Sequence, residues 1–368
     1  MINEQLKYQI AITLIPGVGP VLARNLISYC GGVEAVFREK EKYLLKIPDI
    51  GPVTAKEIAN HNVFEIAEKE CLYIDKHSIS TYFFLDDGYP KRLRNCNDAP
   101  VLLFFKGDFD FNCQRILAVV GTRKASEYGK EICEQLITDL VPFDVSIVSG
   151  LAYGIDICAH KSALKNDVST IAVLAHGLDR IYPGSHKIVA DKMLADGGLL
   201  TEYITGTNPD KENFPTRNRI VAGISDAVIV IEAAHRGGAL ITADIALSYN
   251  RDVFAVPGRA NDHYSRGCNQ FIKTNKAGLI ESASDIAYNM GWQTSEEKPK
   301  SQPQQKLFVE LTADENAIVQ LLNQHTQLDI DTISSLGNIP ISKMSSALLS
   351  LEFNGILKSL PGKIYQLL

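Results

Sequence analysis

The stretch ILAVVGTRKASEYG (116–129), followed by a helical segment and then VSIVSGLAYGID (145–156), decides the fold. Ile116, Leu117, Ala118, Val119 and Val120 form a continuous apolar run, which is how a strand buried on both faces reads. The run ends in a small polar turn and opens into a helix-like pattern, and the same succession repeats at 145–156. Two such units predict parallel strands joined by crossover helices. Gly121, Thr122 and Arg123 then lie beside Ser149 and Gly150 at the carboxyl ends of neighbouring strands, where open α/β sheets hold their ligands. Glycine lets the backbone approach closely, helix N-termini aim unpaired N–H groups outward, and Arg123 adds a fixed cation. The expected occupant is a phosphate.

Outward from this pair, apolar runs recur at 170–174, 227–231 and 253–256, separated by helix-length segments. Residues 115–292 therefore read as a Rossmann-like, doubly wound, mostly parallel sheet. No GxGxxG follows the first strand, which argues against NAD, and no cofactor is expected. The loops after the strand ends collect the remaining candidates on one edge: Gly154, then Arg217, Asn218 and Arg219 in NFPTRNRIVAG (213–223), Gly237 and Gly238, and Lys273. Arginine suits phosphates and stacked bases better than lysine does. Arg123, Arg217 and Arg219 are the expected ligands and Arg236, Arg259 and Arg266 the rim contacts, with part of the set pairing to Asp156, Glu202, Glu232 or Asp262. Asp156 and His160 share a helical face, but no nucleophile stands beside them, and the pair reads as structural.

The chain has 368 residues, enough for two or three domains, and a net charge of −6, so any polyanion site must be focal. Its seven cysteines are far apart without a CxxC pair, which fits reduced thiols and neither a disulfide framework nor a metal site. No apolar run reaches membrane-spanning length, so a cytoplasmic protein with no membrane contact is expected.

Residues 1–65 contain an internal repeat, IPGVGP (15–20) and IPDIGP (47–52), each followed by a helix-like segment. It resembles a helix-hairpin-helix pair within a helical, SAM-like module, whose glycine hairpins offer N–H groups to a DNA phosphate. Asp49 puts a carboxylate in the second hairpin, so packing is as good a reading as DNA contact. Residues 66–114 read as a connection into the main domain, with short strands bracketed by turns. The polar, proline-containing stretch 293–311 reads as a flexible linker. Residues 312–368 read as three helices and a hairpin turning at Pro361-Gly362, a winged-helix pattern. Its recognition helix carries Lys343 and Glu352 and little other charge, which leaves protein contact as open as DNA contact.

Taken together, VVGTRKASEYG, VSGLAYGID followed by AH, TIAVLAHGLDRIYP, FPTRNRI, GGALITA, and VFAVPG with GCNQFI downstream resemble the DNA-processing protein A family, DprA or Smf. Ala239 stands where the family usually has serine. The resemblance implies a Rossmann-like domain preceded by a SAM-like module and often followed by a winged helix. It implies a non-enzymatic protein that binds single-stranded DNA, dimerises through the Rossmann-like domain, protects incoming strands in natural transformation and helps load RecA. It carries the family's phosphate-binding arginine onto Arg123 and its Phe-Pro-x-Arg-Asn-Arg segment onto 214–219. A rival reading is a nucleoside monophosphate phosphoribohydrolase-like enzyme; the corresponding segment 237–244 lacks that group's glycine-threonine pair and glutamate. A third, a winged-helix transcription regulator, sits poorly with the acidic balance of the terminal module.

Overall fold

A computed structural model describes residues 3–292 and 311–368. The chain divides into two compact units, Met1–Glu281 and Ser282–Leu368. The first is built on a nine-stranded sheet of β1 (Ser80–Phe83), β2 (Leu102–Asp108), β3 (Ile116–Val120), β4 (Ser146–Ser149), β5 (Thr170–Val173), β6 (Gly197–Thr201), β7 (Ala227–Val230), β8 (Asp252–Ala255) and β9 (Gly278–Leu279). Their order is β1-β2-β6-β5-β4-β3-β7-β8-β9. Every pairing from β6 across to β9 is parallel, while β2 runs antiparallel to both β6 and β1. From β3 the chain winds outward to β6, then crosses back to lay β7 on the other side of β3. This is the topological switch of a doubly wound sheet.

The five apolar runs expected as strands are strands, but β6 goes unread in the sequence. GGLLT opens on two glycines, which propensity counts against a strand. Here they are required: Gly197 and Gly198 hold φ of 122° and 150°, and side chains there would strike the β5 backbone at Thr170 and the β2 backbone at Lys106. The segment read as a connection likewise supplies β1 and β2 to the main sheet. Arg92, in its turn, fastens it down: Nε donates to Asp226 Oδ1 at 2.6 Å, and Nη2 donates to Asp226 Oδ2 at 3.0 Å and to the carbonyls of Cys113 and Gln114 at 2.9 and 3.0 Å.

Ahead of β1, six helices form the N-terminal module. Pro20 and Pro52 each start the helix after a hairpin, with Gly19 and Gly51 in the capping positions. That arrangement suits proline, whose missing N–H has no partner in a first turn anyway. The Phe64–His77 helix returns against the Glu4–Leu14 helix, with Phe64 edge-on to Tyr8 at 5.3 Å, so the module runs past residue 65.

In the second unit the helices Ala313–Gln324, Ile330–Gly337 and Ile341–Phe353 enclose Ile318, Leu322, Ile333, Met344, Leu348 and Leu351. The hairpin expected at Pro361-Gly362 is β11 (Leu357–Leu360) and β12 (Ile364–Leu367); the short β10 (Leu328–Asp329) pairs with β12 to complete the wing sheet. Of the stretch read as a linker, 293–310 lies outside the described residues.

Removing Arg92 deletes a partly buried ion pair and the donors to two carbonyls. Arg92→Ala should therefore lower the unfolding free energy by about 2 kcal/mol, read as a shift in urea midpoint. Arg92→Lys should recover little, because an ammonium cannot span the carboxylate and both carbonyls.

Candidate nucleic-acid interface

The carboxyl ends of β4, β3 and β7 meet at the switch point. The Thr122 N–H donates to Glu232 O just past β7 (2.7 Å), and the Ile155 N–H donates to Thr122 O (3.2 Å), binding the three turns together. There is no room between them for side chains. A Cβ on Gly121 would strike Ile155, and one on Gly154, at φ 79°, would strike the Thr122 carbonyl. Glu232 is buried and accepts from the Ser126 N–H (2.9 Å) and hydroxyl (2.5 Å), which fixes the start of the Glu127–Leu140 helix. Arg123, between these anchored points, is exposed.

Arg123 does not stand alone at the mouth. Its guanidinium lies over the Phe214 ring, 5.0 Å from the centroid, and Phe214 packs beside Tyr182 at 6.1 Å. Tyr153 and Tyr182 are exposed, and Tyr153 meets His186 edge-on at 4.9 Å. The sequence reading missed Tyr153 and Tyr182. Their signal was an aromatic within each loop that follows a strand end, LAYG and IYP.

Gly237 and Gly238 open the Gly238–Ser248 helix with no side-chain cap, both are exposed, and open space surrounds the Gly237 Cα. Asn218 reaches the same turn, donating from Nδ2 to Gly238 O at 3.4 Å. An uncapped helix start of this kind is suited to an anion.

The other expected ligands lie elsewhere. Ser149 is fully buried and donates its hydroxyl to Val119 O at 2.6 Å, so only its backbone is near the crevice. Arg217 is buried beneath the floor, donating from Nη1 to Gly150 O (2.9 Å) and to Val173 O. Gly150 is a glycine because that guanidinium occupies the place of a Cβ. Arg219 is buried as well, in an ion pair with Glu202. Both were expected as walls of the pocket; helix packing turns them inward. Lys273 is exposed and lies in the last turn of the Arg266–Lys273 helix, at the end away from the loop that follows β8.

The DNA recombination-mediator protein A family matches residues 80–291, more than half of the chain. The chain belongs to the DprA/Smf family. A SAM-like helix-hairpin-helix tandem matches residues 10–61, and the DprA winged helix domain matches 298–363. Protein Smf of Synechocystis sp. is 31% identical over 409 residues, covering all of both chains. The DNA processing protein DprA of Streptococcus pneumoniae is 41% identical over 248 residues, spanning 67% of this chain and 87% of that one. The X-ray structure of that DprA superposes with a TM-score of 0.63 at 35% identity, covering 76% of this chain and 96% of the other. The Helicobacter pylori DprA, whose structure was described for its single-stranded DNA binding mode, superposes with a TM-score of 0.52 at 31% identity, covering 56% and 93%.

Beneath this DprA crevice the buried polar groups are partnered in ways that bear on chemistry. Asp156 accepts from the Gly150 N–H at 3.2 Å, and burial pushes its carboxyl up, offset by Arg217. The Thr170 hydroxyl donates to Ile147 O at 3.0 Å, so it must accept from His160 Nδ1, 2.8 Å away. Asp156 and His160 thus serve different partners and are not a catalytic dyad. Among the described residues, no cluster of His, Cys, Asp or Glu could hold a metal ion.

Burial, with Arg217 and His186 nearby, drives the His160 pKa from 6.5 down to about 3. A histidine held neutral stabilises the fold above its unfolded pKa and loses that contribution as pH falls from 6.5 toward 3. The unfolding free energy should therefore drop with acidification, and His160→Gln should flatten the curve by about 1.4 kcal/mol per pH unit. Denaturant titrations across that range would measure it. Gly150→Ala, which displaces the Arg217 guanidinium, should cost about 2 kcal/mol of stability by the same titration.

Proposed function

We propose that this chain binds single-stranded DNA along the strand-end rim, without catalysis, and acts as a homodimer through its Rossmann-like domain. In the cytoplasm it would protect incoming strands during natural transformation and help load RecA on them. The observation that carries the reading is Arg123 stacked over Phe214 at the mouth of two glycine turns, with Tyr182 and Tyr153 alongside. A cation beside exposed aromatic faces suits a flexible strand: the cation takes a phosphate, and bases stack without being individually read. A stiff duplex cannot turn its bases outward onto such faces. The uncapped glycine start at 237–238, on the same edge, suits a neighbouring phosphate.

Other observations point the same way. The Helicobacter pylori relative, whose structure was described for its single-stranded DNA binding mode, superposes on 56% of this chain. The family's description as a recombination mediator supports delivery to a recombinase. The divergent partners of Asp156 and His160 support a role without chemistry. In the terminal module, the Ile341–Phe353 helix exposes Ile341, Leu349 and Phe353, and Glu352 accepts from the Ser359 N–H and hydroxyl at 3.1 and 2.6 Å. An apolar, weakly charged recognition helix suits a protein surface better than DNA phosphates. No helix among the described residues is long and apolar enough to cross a membrane.

Fluorescence anisotropy of a labelled oligothymidine across a salt series tests the site. Arg123→Ala should weaken binding and flatten the log–log salt slope by about 0.7; Phe214→Ala should cost ~1–3 kcal/mol of affinity. A duplex of the same length should bind more weakly than the single strand. Equal affinity for the two would sink this reading, and release of free base from a nucleoside monophosphate would overturn its non-catalytic part.

A further inference from the structure

One carboxylate of the N-terminal module reaches the loops behind the rim. Glu70, on the Phe64–His77 helix, is only 4% exposed. The Thr205 N–H donates to both of its oxygens at 3.1 Å, and the Thr205 hydroxyl donates to Oε2 at 2.5 Å. Thr205 belongs to the loop that leads from β6 to the Asn213–Ile224 helix. From there the hydrogen bonds continue without a break. The Gly206 N–H donates to Asp179 Oδ1 (3.1 Å); Arg180, bound to the Asp179 carboxylate at 2.9 Å, donates to Asn208 Oδ1 (2.6 Å). Asn213 Nδ2 then donates to Asn208 O (3.0 Å) and Ala175 O (3.3 Å). The residue after Asn213 is Phe214, under Arg123, and two residues beyond Arg180 is Tyr182.

Glu70 is not needed to seat the module. An apolar core shared by its helices with Phe83, Leu102 and Phe104 joins the module to the sheet, and Arg24 Nη1 donates to Cys96 O at 3.2 Å. A buried carboxylate is costly where apolar contact alone would do, so its retention calls for another role. Burial pushes the Glu70 carboxyl up, and the Thr205 donors offset that only in part.

Resting on the single-stranded DNA reading above, we propose that Glu70 is a positioning residue: it sets the β6 loop so that Phe214 and Tyr182 stand where bases stack beside Arg123. The N-terminal module thereby acts as a brace on the DNA rim from behind, making no contact with the strand at this point.

The test is oligothymidine anisotropy on the full chain with Glu70→Ala, Glu70→Gln, Arg123→Ala and the Glu70→Ala/Arg123→Ala double variant. Glu70→Ala should weaken binding by about tenfold. Glu70→Gln, which keeps an acceptor for Thr205, should stay within about twofold. The double variant should lose less than the sum of the two, because Glu70 acts through the ring that Arg123 covers. Wild-type affinity in Glu70→Ala beside lost affinity in Arg123→Ala, or full additivity, overturns the positioning role and leaves the DNA site standing. Unchanged affinity in Arg123→Ala removes the DNA site and the brace with it. Should Glu70→Ala not fold, Thr205→Val deletes the hydroxyl donor alone and must weaken binding in the same direction; wild-type affinity there also overturns the proposal.

Discussion

Arg217 carries a guanidinium with almost no access to water, 3% exposed, and the crevice is arranged around holding it there. Burial depresses its pKa to about 10, a direct sign of the desolvation it suffers. A charge in that position costs several kcal/mol unless its donors are used and a counter-charge is near. The carbonyls of Gly150 and Val173 accept its hydrogen bonds at the ends of β4 and β5, and Asp156 supplies the counter-charge. Asp156 in turn accepts from the Gly150 N–H, so one carboxylate and one guanidinium grip both sides of the same peptide turn. The Gly150 turn at the crevice is therefore fixed from below. Its glycine is dictated by the cation beneath it more than by the ligand above.

That division between buried and exposed arginines explains how a chain with a net charge of −6 can present a focal cationic site. Arg217 and Arg219 are neutralised inside by Asp156 and Glu202, and project little field into solvent. Arg123 remains exposed, with its guanidinium over the Phe214 ring. Lys124, Arg236, Arg259 and Arg266, in or beside the loops that follow β3, β7 and β8, are exposed as well, so positive charge on this edge is shared and the aromatic faces add stacking to it.

What was legible in the sequence follows the same physics. The strands 116–120 and 227–230 lie between two helical layers, so their apolar runs are unbroken and easy to read. β6 lies where three backbones crowd together, and the glycines this demands erase its signature. The candidate turns at 121–123 and 150–154 were readable because glycine and arginine at strand ends have few other uses. Side-chain direction was not. Arg217 and Arg219 are two residues apart, about 200° around the helix, and both directions are buried because the helix packs on the sheet and on the Gly238–Ser248 helix. Their partners, Asp156 in the first turn of the Ile155–Lys165 helix and Glu202 just past β6, are distant in the chain, information that only the assembled domain contains. For Lys273 the sequence did not give the helix bounds, which put it in the last turn and not the first.

The tandem hairpins of the N-terminal module are not equivalent. In the first, Pro16, Gly17 and Gly19 are exposed, while Val18 is buried and lines, with Pro20, a cleft of about 210 Å³ against Pro100, Leu102 and Ile204. In the second, Asp49 takes the left-handed conformation at φ 65° that glycine would adopt, and brings a carboxylate to the place of a phosphate. The two hairpins therefore differ: the first leaves its glycines open, and the second brings a carboxylate. Both keep proline-started helices behind glycine turns. Whatever the hairpins contact, the module also meets the α/β domain through Glu70 and Thr205, in the loop after β6 that leads directly to Phe214.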